Sequence, residues 1–235
     1  MTYRKRVITH TLKKPDEFIS TMERITFFIE KNIRIVLIAS AAFLIIGASI
    51  FSFYLYKNHV NTKAAALEYQ AVRHYYEGSA DGYKKAIELF EEVIKLYPNS
   101  KSASIAQYNI GNAYFKMNDF DKADEAYKKF IDKYSSDKIL LGLVMQKLSY
   151  VYVAKKDYNK AIESLNRIIS DSSVFGKDQA YFELGKLYEV LNKKDDAMSK
   201  YEALVKDYSS SPWAAEGAAR LKILKGEEKK EDKKK

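Results

Sequence analysis

The chain has 235 residues, with 40 Lys+Arg against 31 Asp+Glu for a formal charge of +9, 47% hydrophobic residues and no cysteine. The missing cysteine excludes disulfide scaffolds, thiolate nucleophiles, Cys-ligated zinc or iron–sulfur sites and an N-terminal lipid-modified Cys. His10, His59 and His74 are too scattered for His-based metal or triad chemistry, and 9 Gly and 3 Pro beside 19 Tyr and 12 Phe point to a mostly helical chain packed through aromatic residues.

Residues 1–34 form a basic leader that carries Arg4, Lys5, Arg6, Lys13, Lys14, Arg24, Lys31 and Arg34. Pro15 suits a first helical position, and Asp16 and Glu17 suit a first turn. Phe18, Met22, Ile25 and Ile29 follow at spacings of three and four, which predicts an amphipathic helix acting as a collar on a membrane surface.

Residues 35–56 are 22 consecutive residues without a charged side chain, IVLIASAAFLIIGASIFSFYLY. As a helix they would span about 33 Å, matching a hydrocarbon core of roughly 30 Å. Tyr54 and Tyr56 fall where an interfacial aromatic belt would lie. Buried helices of soluble cores seldom have so long an uncharged run. A cleavable signal would be shorter and would exit through small residues instead of Phe53, Tyr54, Leu55 and Tyr56. An uncleaved single span is therefore expected. Only Lys57, Lys63 and Arg73 are basic in the twenty residues that follow it. The basic excess before the span predicts a cytoplasmic N-terminus with everything after Lys57 across the membrane.

Residues 57–224 repeat. A small residue precedes an aromatic or Leu by four positions at Ala86 and Phe90, Ala123 and Tyr127, Ala161 and Leu165, and Ala197 and Tyr201. The alanines are 37, 38 and 36 residues apart. Nine residues before the last three stands a Tyr, in Ile110-Gly111-Asn112-Ala113-Tyr114, Leu148-Ser149-Tyr150-Val151-Tyr152 and Leu184-Gly185-Lys186-Leu187-Tyr188. Such spacing predicts helical hairpins whose first helix approaches closely through Gly or Ser and whose second does so through Ala. Asp119 and Asp157 sit at helix starts, whereas the third turn reads Asn192-Lys193-Lys194 and departs from the pattern. An earlier hairpin is expected from Ala64 to Glu77 and Tyr83 to Tyr97, joined by a flexible Gly78-Ser79-Ala80-Asp81-Gly82. Ser211-Pro212-Trp213 is expected to open a terminal capping helix through Leu224.

These markers make residues 64–224 resemble the tetratricopeptide repeat proteins. The resemblance implies an all-α fold, here one N-terminal transmembrane helix followed by a right-handed α-solenoid of about four hairpins and a C-terminal capping helix. It also implies a partner-binding groove lined by residues two, five, nine and twelve of each first helix. Those are Ile105, Tyr108, Asn112 and Phe115; then Leu143, Gln146, Tyr150 and Val153; then Gln179, Phe182, Lys186 and Glu189. Asn112, Gln146 and Gln179 would offer amides to a peptide backbone. The carboxylate-clamping set of some relatives is matched only at Asn112.

No phosphate loop, zinc-protease motif, nucleophile elbow or paired metal carboxylates occur, so no enzyme activity, cofactor or metal is expected. Net charge divides as +4 in residues 1–34, +3 in 57–224 and +2 in the tail 225–235, KGEEKKEDKKK, read as disordered. A near-neutral repeat domain disfavours nucleic-acid binding. Leader, anchor and exported repeats, in that order, resemble the bacterial ancillary subunit family of the SecYEG translocon. This implies a scaffold of the bacterial inner membrane whose periplasmic domain links translocon subunits to a periplasmic chaperone or exported polypeptides. An envelope-assembly scaffold that recruits outer-membrane or cell-division factors is the alternative. A signal-passing role would have 34 residues on the cytoplasmic side for its output.

Overall fold

The computed structural model describes residues 15–226, with side chains from Thr21 onward; the leader's Arg4, Lys5, Arg6, Lys13 and Lys14, the side chain of Phe18 and the tail beyond Gly226 lie outside the described residues. Ten helices and no strand occur among them. They are α1 (Pro15–Lys31), α2 (Ile33–Tyr76), α3 (Ala80–Leu96), α4 (Lys101–Lys116), α5 (Phe120–Tyr134), α6 (Lys138–Ala154), α7 (Tyr158–Ser170), α8 (Lys177–Val190), α9 (Lys194–Asp207) and α10 (Ala214–Leu224). The chain divides into two compact units between Asn58 and His59.

In the first unit, α1 and α2 are separated by Asn32, whose Nδ2 donates to the Phe28 carbonyl at 2.9 Å. Met22, Ile25, Phe27 and Phe28 of α1 are exposed. Within α2 lies the one stretch among the described residues that is long and apolar enough to cross a bilayer. An 18-residue window of it has a mean hydropathy of 2.5, and none of that window is buried. Ser40 and Ser49 donate their hydroxyls to carbonyls one turn back, so neither leaves a polar group bare on the apolar surface.

In the second unit, residues 59–76 of α2 pair with α3, and α4 with α5, α6 with α7 and α8 with α9 follow as hairpins closed by α10. The repeated alanines Ala86, Ala123, Ala161 and Ala197 are fully buried, as are Phe90, Tyr127 and Tyr201 four residues on, with Leu165 at 1% exposure. At the helix crossing, a Cβ on Gly111 would overlap the Tyr127 ring, and one on Gly185 would overlap the Tyr201 ring. In the hairpin between them Ser149 stands opposite the smaller Leu165. In the two Gly–Tyr hairpins the bulk removed from one helix is returned on the other, which keeps the packing close there.

The three inner turns share one backbone geometry. Asn118, Lys156 and Asn192 all have positive φ, at 59°, 59° and 54°. The next N–H reaches back to the Tyr114, Tyr152 and Tyr188 carbonyls at 2.9, 2.8 and 2.8 Å. Asp119 and Asp157 cap the following helix through the N–H groups of Lys122 and Lys160. At Lys193 no side chain caps α9, yet the turn is unchanged, because the left-handed residue and the backbone bond set its shape. The departure noticed at Asn192-Lys193-Lys194 is therefore confined to the missing cap.

The joint of the first hairpin is shorter than the expected five-residue link. Ala80, Asp81 and Gly82 already belong to α3, which Ser79 caps by accepting from the Gly82 N–H at 3.0 Å. Gly82 is buried against the His74 carbonyl, where a Cβ would stand 2.7 Å away, so it serves close packing and not flexibility. At the other end, Trp213 precedes α10 instead of lying inside it. Its ring stacks on Phe182 with centres 5.2 Å apart, and the Ser211 hydroxyl donates to Asp178 at 2.7 Å.

Candidate functional site

The first helices α4, α6 and α8 carry the twelve residues expected to line a groove. Their placement differs from hairpin to hairpin. On α4, Ile105, Tyr108, Asn112 and Phe115 are half-buried. Tyr108 packs beside Tyr127 with ring centres 6.3 Å apart, and Phe115 meets Phe120 edge-on at 5.5 Å. Asn112 accepts the Tyr127 hydroxyl at 2.7 Å and donates to Asn109 at 3.2 Å, so much of its amide is committed inside the hairpin.

On α6, Leu143 and Val153 are 39% exposed, while Gln146 is buried at 7%. Tyr150 is half-buried and donates its hydroxyl to Glu183 of α8 at 3.0 Å. Burial, followed by the Glu183 charge, pushes its pKa well above the ordinary tyrosine range. On α8, Phe182 is 2% exposed between Tyr201 and Trp213, which places it in the core under the cap and not on an open face. Glu189 accepts the Tyr201 hydroxyl and pairs with Arg220 at 3.2 Å. Lys186 pairs with Glu183 at 3.2 Å, and Gln179 is half-buried.

Of the twelve, Tyr150, Val153 and Lys186 border a recess between α6 and α8, which is smaller than the recess of about 490 Å³ that Glu91, Gln107, Tyr114 and Ala126 help to line at α3, α4 and α5. A cleft of about 220 Å³ is lined by Tyr150, Val153, Leu165, Glu183, Lys186 and Val190, with Ser149 and Leu187 completing its wall. Its existence follows from the crossing residues. Tyr127 and Tyr201 fill the corresponding space in the neighbouring hairpins and send hydroxyls upward, to Asn112 and Glu189. Leu165 is shorter and has no hydroxyl, so Tyr150 is left free to reach sideways to α8.

Three residues of this region escaped the two-five-nine-twelve pattern: Glu183, Val190 and Lys147. Glu183 and Lys147 occupy the sixth place of their first helices, where Asn109 stands on α4. The recurrence of a polar residue at that one place in all three helices, Asn109, Lys147 and Glu183, was the available signal. Among the described residues no group of three or more His, Asp or Glu is placed to hold a metal ion.

Stacked helical hairpins that present one face of every first helix define a helical-repeat domain. The family model described as a tetratricopeptide repeat-like domain matches residues 27–224, and the chain belongs to that family. Such repeats generally mediate protein–protein contacts, and the proteins that carry them are generally non-catalytic scaffolds.

Among solved structures, the chain is similar to a tetratricopeptide repeat protein from Parabacteroides merdae, with a TM-score of 0.56 and 15% identity over 71% of this chain and 61% of that one. It is also similar to MamA protein, with a TM-score of 0.51 and 22% identity over 71% of this chain and 83% of that one. These likenesses concern the fold. A curated relative, the transcription activator GutR of Bacillus subtilis, is 32% identical over 95 residues, which are 38% of this chain and 11% of that protein's length.

Proposed function

We propose that the protein is a non-enzymatic scaffold anchored in a bacterial inner membrane by residues 35–56, with its repeat domain on the periplasmic side. The observation that carries the binding role is the cleft between α6 and α8, a partly apolar recess on the face from which repeats of this kind recruit partners. The anchor reading is supported by an apolar stretch of α2 with no residue covered from position 37 to 59. Its orientation follows the excess of basic residues before the span over those after it.

The partner class that fits this order of segments is the secretion machinery. The repeat domain would hold an exported polypeptide or a periplasmic chaperone beside the SecYEG translocon. Two measurements test this. A reporter enzyme active only outside the cytoplasm, fused after Lys235, is expected to be active; activity of a cytoplasm-only reporter there overturns the topology. A photoreactive residue at Val153, followed by mild-detergent purification, is expected to recover SecY and a periplasmic folding factor. Recovery of outer-membrane assembly or division factors instead would favour the envelope-scaffold role.

A further inference from the structure

On α4 and α6, Lys116 and Lys147 have no ion-pair partner among the described residues. Lys147 is half-buried in the middle of α6, its Nζ 5.7 Å from the centre of the Tyr150 ring. Lys116 closes the packed helix α4 nearby and bears on the Lys147 ammonium. Several lysines around this face are answered by acids: Lys155 pairs with Asp121 at 2.6 Å, Lys128 with Asp124 at 3.0 Å, and Lys186 of α8 with Glu183. Among the described residues neither Lys116 nor Lys147 has such a pair.

The consequence is visible in the sign of the shifts. Neighbouring carboxylates hold Lys122, Lys155 and Lys160 above the ordinary lysine value, whereas burial, with the Lys116 charge added, holds Lys147 below it. Keeping a cation partly out of water beside a second cation costs free energy, which the Tyr150 ring offsets in part and no carboxylate among the described residues offsets by pairing.

Tyr150 connects this spot to the cleft. Its ring faces Lys147, while its hydroxyl donates across to Glu183, beyond which Val153 and Val190 line the recess.

We propose that this face recognises an acidic peptide segment, with an Asp or Glu side chain of the partner seated on Lys116 and Lys147 and a nearby apolar side chain in the cleft at Val153 and Val190. The proposal deepens, and rests on, the reading of this face as a partner-binding groove. An ammonium pair supplies charge-assisted hydrogen bonds to a carboxylate, and the Tyr150 ring supplies a flat apolar wall beside it.

The test uses the full chain in dodecyl maltoside micelles with fluorescein-labelled, C-terminally amidated peptides. These carry a central Glu, Gln or Lys followed at one to four residues by Leu or Ser. Peptides with Glu and Leu are expected to bind about tenfold more tightly than those with Gln and Leu. That preference should shrink as salt rises. The Lys116→Gln, Lys147→Gln double variant is expected to lose the preference for Glu while still binding the Gln and Leu peptides. Its helical circular dichroism should be unchanged and its melting temperature equal or higher, because an unanswered cation has gone. Equal binding of Glu and Gln peptides, or a preference that survives in the double variant, overturns the proposal. So does a preference that requires a free C-terminal carboxylate. Failure of every peptide to bind, whatever its composition, refutes the groove reading itself, and the proposal falls with it.

Discussion

The α4–α5 and α6–α7 hairpins share a turn, a period and a pattern of buried alanines, yet they differ at the helix crossing, and that difference decides where the surface opens. In α4–α5 the pair is Gly111 and Tyr127; the ring fills the space under the groove and its hydroxyl occupies Asn112. In α6–α7 the pair is Ser149 and Leu165, the space is unfilled, and Tyr150 reaches to the next hairpin. Packing residues far below a binding face thus determine which of its side chains are available.

Alkaline pH should break the comparison most severely. Burial raises the pKa of Tyr127 and Tyr201, and burial with neighbouring tyrosines pushes Tyr75 up to about 12 from 10.0. A folded pKa above the unfolded one means the folded chain holds the proton more tightly. The stabilisation is therefore complete below about pH 10 and lost as pH rises through the folded values. Unfolding followed by circular dichroism should show a cooperative alkaline transition, displaced to higher pH in the Tyr127→Phe, Tyr201→Phe variant. A stability that stays flat from pH 9 to 12 would contradict it.

Removing the ring itself comes next. Tyr127→Ala should cost about 3–5 kcal/mol in urea unfolding, the usual range for emptying an aromatic core site. A loss below about 1 kcal/mol would show that α4 and α5 do not depend on that contact.

Exchanging the crossing pairs probes the cleft directly. Leu165→Tyr alone should destabilise by about 1–3 kcal/mol through overlap with Ser149. Adding Ser149→Gly should restore the melting temperature while abolishing crosslinks from Val153, because the ring now fills the recess. Undiminished crosslinking in the restored double variant would show that the cleft is not where partners sit.

The smallest effect is expected at the turn that lacks a cap. Lys193→Asp should stabilise α9 by about 0.5–1 kcal/mol, bringing it level with the hairpins capped by Asp119 and Asp157. A destabilised variant would mean that the Lys193 cation, 5.9 Å above the Tyr188 ring, matters more than the cap.

Much of the fold could be read along the chain because its signals are local and periodic. Ala86, Ala123, Ala161 and Ala197 announce the hairpins, and all four are fully buried. Gly82 was misplaced because glycine between helices usually marks a loose link, and only the approach of the His74 carbonyl reveals a packing role. Trp213 sits one residue before its helix, with its ring stacked on Phe182, a partner 31 residues away that local pattern does not reveal. The groove was less legible. A fixed set of positions cannot foresee that Phe182 is claimed by the cap, that Asn112 is claimed by Tyr127, or that Lys147 has no partner, since each depends on a neighbour in another helix.

The paired residues at the helix crossing also make the recess portable. The crossing pair is Gly111 with Tyr127 in one repeat and Ser149 with Leu165 in the next, so Gly111→Ser with Tyr127→Leu is expected to open a second recess one repeat toward the N-terminus without altering the turn or the buried alanines. Copies of a single hairpin can in this way diverge into a row of differently addressed sockets, each set by small coordinated exchanges in the interior and not by redesign of the exposed surface.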